Sequence, residues 1–151
     1  MCRRAQEPGR GLWSVPAGFM EINETIEQAA AREAEEETGL QIDPLDLDLY
    51  GVLSLPELNQ VYITLRIELK DWPRLTPGPE ALDVALLREQ DLEPSDWAFS
   101  GPMIQQESSI LFDEIRAKKF GIHKSRLSNS HDYENRTYAL APGTGRDPAW
   151  T

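Results

Sequence analysis

The stretch from Gly18 to Leu40 reads GFMEINETIEQAAAREAEEETGL and constrains the fold of this chain more than any other. Thr25 and Gln28 have the spacing of a capping box, in which the threonine oxygen and the glutamine side chain each satisfy a free backbone N–H, so a helix is predicted to start at Thr25. Gly39 suits the left-handed residue that ends it. At 3.6 residues per turn, Ile26, Ala30, Glu33 and Glu37 fall on one stripe, with Ala29 and Glu36 beside it. Two carboxylates therefore continue an apolar face. Glu33 and Glu37 repel each other at i,i+4, and the charge gathers in the last turns, where the helix dipole disfavours anions. Nothing local offsets these costs, whereas a divalent cation would. Converging glutamate oxygens with room for water suit Mg²⁺ or Mn²⁺, hard ions that also bind phosphate oxygens. Most glutamate runs in helices are simply solvated faces. Glu27 and Glu35, which point away from the stripe, keep that reading.

A chain of 151 residues, 40% hydrophobic, is expected to form one domain without staples. No apolar run approaches the ~18 residues a membrane helix needs, and no signal peptide is seen. A single cysteine, Cys2, excludes a disulfide framework within the chain and points to a reducing, cytoplasmic compartment. The net charge of −11 argues against non-specific nucleic-acid binding, which depends on neutralising phosphates with Lys and Arg.

Leu12 to Met20 reads as a strand and turn, with Pro16-Ala17-Gly18 leading into the helix. Leu45 to Leu49 alternates with Asp46 and Asp48 as a half-buried strand. Val61 to Leu69 is the clearest strand, with odd positions apolar and a well-specified register. Thr76-Pro77-Gly78-Pro79-Glu80 is a stiff loop, followed by a short strand around Val84 to Leu87. A second helix is predicted over Pro102 to Lys119, with Ile104, Leu111 and Ile115 inward and Gly121 as its stop. From residue 121 to 151 the chain is polar and turn-rich and reads as an extended or disordered tail, with His123 and His131 solvated in it. The architecture expected for residues 1–120 is an α/β/α sandwich with a mixed central sheet.

The segment Gly18, Glu24, Arg32-Glu33-Ala34-Glu35-Glu36-Glu37-Thr38-Gly39-Leu40 has the spacing of the Nudix box, and the chain is identified by it as resembling the Nudix hydrolases. Cys2-Arg3-Arg4-Ala5, Gly11 to Glu21, Leu55-Pro56 with Gln60-Val61-Tyr62, and Pro77-Gly78-Pro79-Glu80 are similar to a subgroup that includes plant FAD and ADP-ribose pyrophosphatases and bacterial relatives. Such relatives commonly begin with a four-cysteine zinc ribbon and a complete first strand. Neither the ribbon nor a complete first strand is expected here, since Met1 falls inside that strand, and the sheet is then either cut short or repaired another way.

The resemblance implies that Glu33, Glu36 and Glu37, with the carbonyl of Ala17, hold Mg²⁺ or Mn²⁺, and that Glu36, Glu37 or Glu80 serves the chemistry. It implies a structural pairing of Arg32 with Glu24, a close passage of the loop at Gly18, and Gly39 as the helix stop. Arg3 and Arg4 are candidates for the diphosphate oxygens, and Tyr62, with Trp97 and Phe99, for ring stacking. The implied reaction is hydrolysis of a nucleoside diphosphate-linked compound such as ADP-ribose, FAD or NADH by a metal-activated water. The substrate is then a small nucleotide, with neither nucleic acid nor membrane as partner and a homodimer left open. Two alternatives stand beside it: a nucleoside triphosphate pyrophosphatase on the same metal site, and a catalytically silent binding module of the same fold.

Overall fold

The computed structural model describes residues 1–99, 102–128 and 132–139. Among these residues, seven strands and two α-helices follow one another as β1 (Cys2–Arg4), β2 (Trp13–Ser14), α1 (Ile26–Thr38), β3 (Asp48–Leu55), β4 (Gln60–Arg66), β5 (Ala81–Val84), α2 (Pro102–Ala117), β6 (Gly121–Ser128) and β7 (Asp132–Ala139). They make an antiparallel sheet of order β2-β1-β5 and a mixed sheet of order β4-β3-β6-β7 whose β3–β6 pair is parallel. This is the expected α/β class with a mixed sheet. No helix among the described residues is long and apolar enough to cross a membrane.

Local chemistry sets the bounds of α1. Thr25 accepts from the Gln28 backbone at 3.2 Å while the Gln28 side chain accepts from Thr25 N–H at 2.9 Å, and Gly39 caps the far end at φ 69°. The buried residues of the helix are Ala29, Ala31, Ala34 and Thr38. The expected stripe of Ile26, Ala30, Glu33 and Glu37 is only half-buried and runs between them. Alanines bring the backbone close on both sides, and the carboxylates occupy the gap between. The helix rests against β4, β5 and a 3₁₀ turn at Pro44–Asp46.

The first strand is short, Cys2–Arg4, and lies in the middle of its sheet, paired with Ser14 and Trp13 on one side and with Val84, Asp83 and Ala81 on the other. Several expectations are corrected. Of Leu12 to Met20 only Trp13–Ser14 is strand. Leu45 begins no strand, because Asp43 accepts from Leu45 N–H at 3.0 Å and Pro44 starts a 3₁₀ turn, so β3 opens at Asp48. The strand expected at Val84 to Leu87 falls earlier, at Ala81–Val84. In β4 the apolar alternation is not expressed as burial, since Val61 (61%), Tyr62 (48%) and Ile63 (41%) are all exposed. That strand is the edge of its sheet.

The largest correction concerns the tail. Gly121 does not merely stop a helix; it opens β6, which lies between β3 and β7 in the middle of the mixed sheet. Its inward positions are His123 and Ser125, both buried. The segment is polar in sequence because polar partners cover it. Residues 140–151 and His131 lie outside the described residues, as does the Ile104 side chain; Leu111 is half-buried and Ile115 exposed.

Candidate active site

The loop after β2 is fastened to α1 by Arg32. Its Nε and Nη2 donate to Glu24 at 2.7 and 3.1 Å, Nη2 also reaches the Phe19 carbonyl at 3.0 Å, and Nη1 donates to Glu33 at 2.6 Å and Glu36 at 3.3 Å. Glu24 in turn accepts from Glu21 N–H at 2.8 Å. A planar guanidinium serves this place because one fork can bind a carboxylate bidentately and still bridge to others. Hydrogen bonding to Arg32 holds the Glu24 carboxyl below its usual pKa, and Glu24 and Glu33 keep the guanidinium firmly protonated.

Two glycines permit the close approach. A Cβ on Gly18 would lie 2.1 Å from Glu33 Oε1, and one on Gly78 would lie 1.7 Å from the Glu36 carbonyl oxygen, a collision with backbone that cannot relax. The loop Thr76 to Glu80 thereby docks on the C-terminal end of α1. Thr76 N–H donates to the Thr38 carbonyl at 2.8 Å and Gly78 N–H to the Glu37 carbonyl at 3.1 Å, satisfying groups that a helix end leaves free. The Glu80 carbonyl accepts from Ala5 N–H at 2.9 Å, which ties the loop to the residues after β1.

The result is a cleft of about 380 Å³ lined by Ala17, Gly18, Glu33, Glu36, Glu37, Pro79 and Glu80. Every carboxylate and backbone group predicted to serve metal or chemistry is in that lining. Gly39 stays at the helix end, and Arg32 and Glu24 form the clamp described above. Arg3 and Arg4 are engaged elsewhere: Arg3 Nε donates to the Gly11 carbonyl at 2.8 Å, Arg4 Nε to the Pro8 carbonyl at 2.9 Å, and the Arg4 guanidinium stands 5.0 Å from the centre of the Phe99 ring. Tyr62 lies on β4 and does not line the cleft. Trp97 makes an isolated bridge to Trp13 and faces a separate hollow beside Phe112.

One residue beside the cleft has no role predicted from sequence, although it belongs to the Cys2-Arg3-Arg4-Ala5 segment. Cys2 Sγ donates to Glu37 Oε2 at 2.9 Å and is only 3% exposed. Burial and the neighbouring Glu37 push the thiol up to about 11, so it keeps its proton at neutral pH. The Glu37 carboxyl is itself raised above its usual value, first by burial and also by the nearby charges of Glu33 and Glu80, although hydrogen bonds from Cys2 and the Ala17 backbone favour its charged form.

Among the described residues no group of three His, Cys, Asp or Glu side chains stands ready-made around a cation. Glu33 and Glu36 are turned onto Arg32, and one oxygen of Glu37, Oε2, accepts from Cys2. The donor chemistry nevertheless suits a hard divalent ion. Four carboxylates share the cleft, the guanidinium beside them is already divided between Glu24, Glu33 and Glu36, and the last turn of α1 holds no basic residue.

The chain matches the NUDIX domain family over residues 1–106. It is 42% identical over 57 residues to an ADP-ribose pyrophosphatase of Methanocaldococcus jannaschii, covering 38% of this chain and 32% of that protein. It is 55% identical over 40 residues to the NAD-capped RNA hydrolase NudC of Photobacterium profundum, covering 25% and 15%. The chain thus spans a third or less of the length of the curated relatives it matches. Among solved structures it resembles a NUDIX hydrolase from Nitrosomonas europaea, with a TM-score of 0.71 and 38% identity over 83% of this chain and 69% of that one. The match over residues 1–106, together with a glutamate-lined cleft built from the loop and helix of the box, places this chain in the Nudix family.

Proposed function

We propose that the protein hydrolyses the diphosphate bond of a nucleoside diphosphate-linked compound of the ADP-ribose, FAD or NADH type, with Mg²⁺ or Mn²⁺ as cofactor. The carrying observation is the cleft in which Glu33, Glu36, Glu37 and Glu80 meet the backbone of Ala17 and Gly18 with one, already shared, guanidinium beside them. Such an excess of carboxylates opposes an anionic substrate unless a cation intervenes. Glu33, Glu36, Glu37 and the Ala17 carbonyl are the groups that would hold it. When bound, a divalent ion supplies charge neutralisation for diphosphate oxygens and makes a water more acidic.

The chain's own residues do the rest. Gly18 lets the loop pass directly against Glu33 on α1, since any side chain there would strike that carboxylate. Glu80, brought in by the docked loop, is the carboxylate proposed to take the proton of the attacking water, with Glu36 or Glu37 as the other candidate base. Arg32 fixes the loop relative to the helix, so the spacing across the cleft does not depend on the substrate. Arg3 and Arg4 are proposed to meet the diphosphate with the guanidinium edges that their carbonyl bonds do not use. The lone cysteine supports a reducing compartment, the cytoplasm, as the place of action.

Product analysis tests the proposal. With Mg²⁺, ADP-ribose should give AMP and ribose 5-phosphate, and FAD should give AMP and FMN, at a kcat/KM well above that for dNTPs. Formation of a nucleoside monophosphate and pyrophosphate from a preferred triphosphate would support the triphosphate reading instead. No turnover of either class, with intact fold, would support the silent binding module.

A further inference from the structure

We infer that Cys2 is a positioning residue for Glu37, holding this carboxylate in the orientation from which it binds a divalent cation. The inference rests on the metal-site reading above and adds to it a residue 35 positions away in sequence.

The geometry carries it. Cys2 sits in the middle strand of the β2-β1-β5 sheet, with its backbone opposite Ser14 on one side and Val84 on the other, so the sulfur is fixed by two strands. Its thiol has two acceptors within range, the Ser14 carbonyl at 3.4 Å and Glu37 Oε2 at 2.9 Å. A thiol has one proton, and the shorter contact to the charged acceptor is the stronger claim on it. The Ser14 hydroxyl, 3.5 Å from the sulfur, can then donate to it, which leaves the S–H pointed at the carboxylate. Ala17 lines the same cleft as Glu37, so this carboxylate lies between the sheet that holds it and the loop across from it. Glu36 differs: its side chain is 60% exposed and is held by a single 3.3 Å contact with Arg32.

The choice of donor matters as much as its place. An arginine or lysine at position 2 would orient Glu37 but also neutralise it, as Arg32 does for Glu24. A buried neutral thiol is a weak donor that orients the carboxylate and leaves its charge for a cation. Partners that orient a metal ligand spare the rotamer freedom otherwise lost on binding, and removing one typically weakens metal affinity 10–100-fold.

The test measures Mn²⁺ binding directly, by calorimetry or by loss of the free Mn²⁺ EPR signal, without substrate, in wild type, Cys2→Val and Cys2→Ser. Valine keeps the buried apolar volume and removes the donor; serine keeps the donor and loses apolar volume. Mn²⁺ affinity should fall about tenfold in Cys2→Val and stay within about threefold of wild type in Cys2→Ser, while the metal-free melting temperature follows the opposite order. In turnover, Cys2→Val should need more Mg²⁺ for half-maximal rate and recover much of its kcat when Mg²⁺ saturates. Wild-type Mn²⁺ affinity in Cys2→Val, or an equal loss in Cys2→Ser, overturns the inference, because the donor is then irrelevant. If Cys2→Val does not fold, Cys2→Ala replaces it, with recovery in Cys2→Ser as the deciding comparison. A Glu37→Gln control separates the two levels. If it weakens Mn²⁺ binding and Cys2→Val does not, the inference alone fails; if it leaves Mn²⁺ binding unchanged, the metal assignment fails and takes the inference with it.

Discussion

Two groups of carboxylates in this molecule live under opposite conditions. Around α1, Glu33, Glu36, Glu37 and Glu80 share an open cleft with a guanidinium that is already divided among three carboxylates. On α2, Glu107 and Glu114 are half-buried and hydrogen-bonded to the mixed sheet. Both Glu114 oxygens are 3.1 Å from His123 Nε2, and one also accepts from Gly121 N–H at 3.0 Å. The other imidazole nitrogen meets the Thr137 hydroxyl at 3.1 Å, while Glu107 accepts from Tyr133, which is joined to Ser125 and Asn135. The Tyr50 ring packs on His123 at 4.9 Å between centroids. The same side chain type thus does two jobs. Where strands supply the partners, a glutamate cements a helix to a sheet; where carboxylates outnumber their donors, the cleft is left with charge for a ligand to answer.

The strongest way to break the comparison is to remove one charge from each group. Glu37→Gln should leave the protein folded and lower kcat about 100-fold or more, whereas Glu114→Gln should leave kcat per folded molecule within about twofold, as expected of a group that touches no reacting atom. Steady-state kinetics on ADP-ribose with both variants decides it. Equal losses would dissolve the distinction.

Stability should respond the other way round. His123→Ala strips a buried carboxylate of its partner and is expected to cost about 2–3 kcal/mol, measured by urea unfolding. Glu33→Gln relieves repulsion at the helix end but gives up part of the Arg32 contact, so its metal-free stability should change much less.

A smaller effect separates the groups by their response to metal. A divalent ion at ten times its dissociation constant adds about 1.4 kcal/mol to a fold that alone binds it, or roughly 3–6 °C in melting temperature for a domain of this size. Millimolar Mg²⁺ or Mn²⁺ should produce that rise in wild type and in Glu114→Gln, but not in Glu37→Gln. A wild-type melting curve indifferent to both ions would mean that the cleft is merely a solvated acidic face.

The smallest expected effect is in pH. Burial is the main cause that raises the Glu107 carboxyl above its ordinary 4.5. A raised folded-state pKa means that the folded chain binds more protons than the unfolded one between the two values. The contribution is therefore complete below pH 4.5 and is lost as pH climbs through the raised value. Glu107→Gln should flatten that decline in the stability-versus-pH curve of the metal-free protein. An unchanged slope would show that Glu107 is as well solvated folded as unfolded.

Much of the cleft side was legible in the chain itself, because its signals are local. Thr25 and Gln28 cap each other across three residues, Gly39 supplies the left-handed stop, and the phase of Glu33 and Glu37 follows from helical period alone. The Nudix family followed from the same stretch, and the fold class from the alternation of strand and helix patterns along residues 1–120. What only the tertiary structure decided depends on segments far apart in sequence. Gly78 against the Glu36 carbonyl, Cys2 on Glu37, and the loop contacts that occupy Arg3 and Arg4 have no periodicity to betray them. The polar run after residue 120 misleads for a related reason. Patterning reports burial only when apolar residues face inward, and β6 turns His123 and Ser125 inward instead, where Glu114, Thr137 and Tyr133 from other elements satisfy them. A sequence records which residues prefer to be dry; which polar residues can be made dry is settled only when their partners arrive.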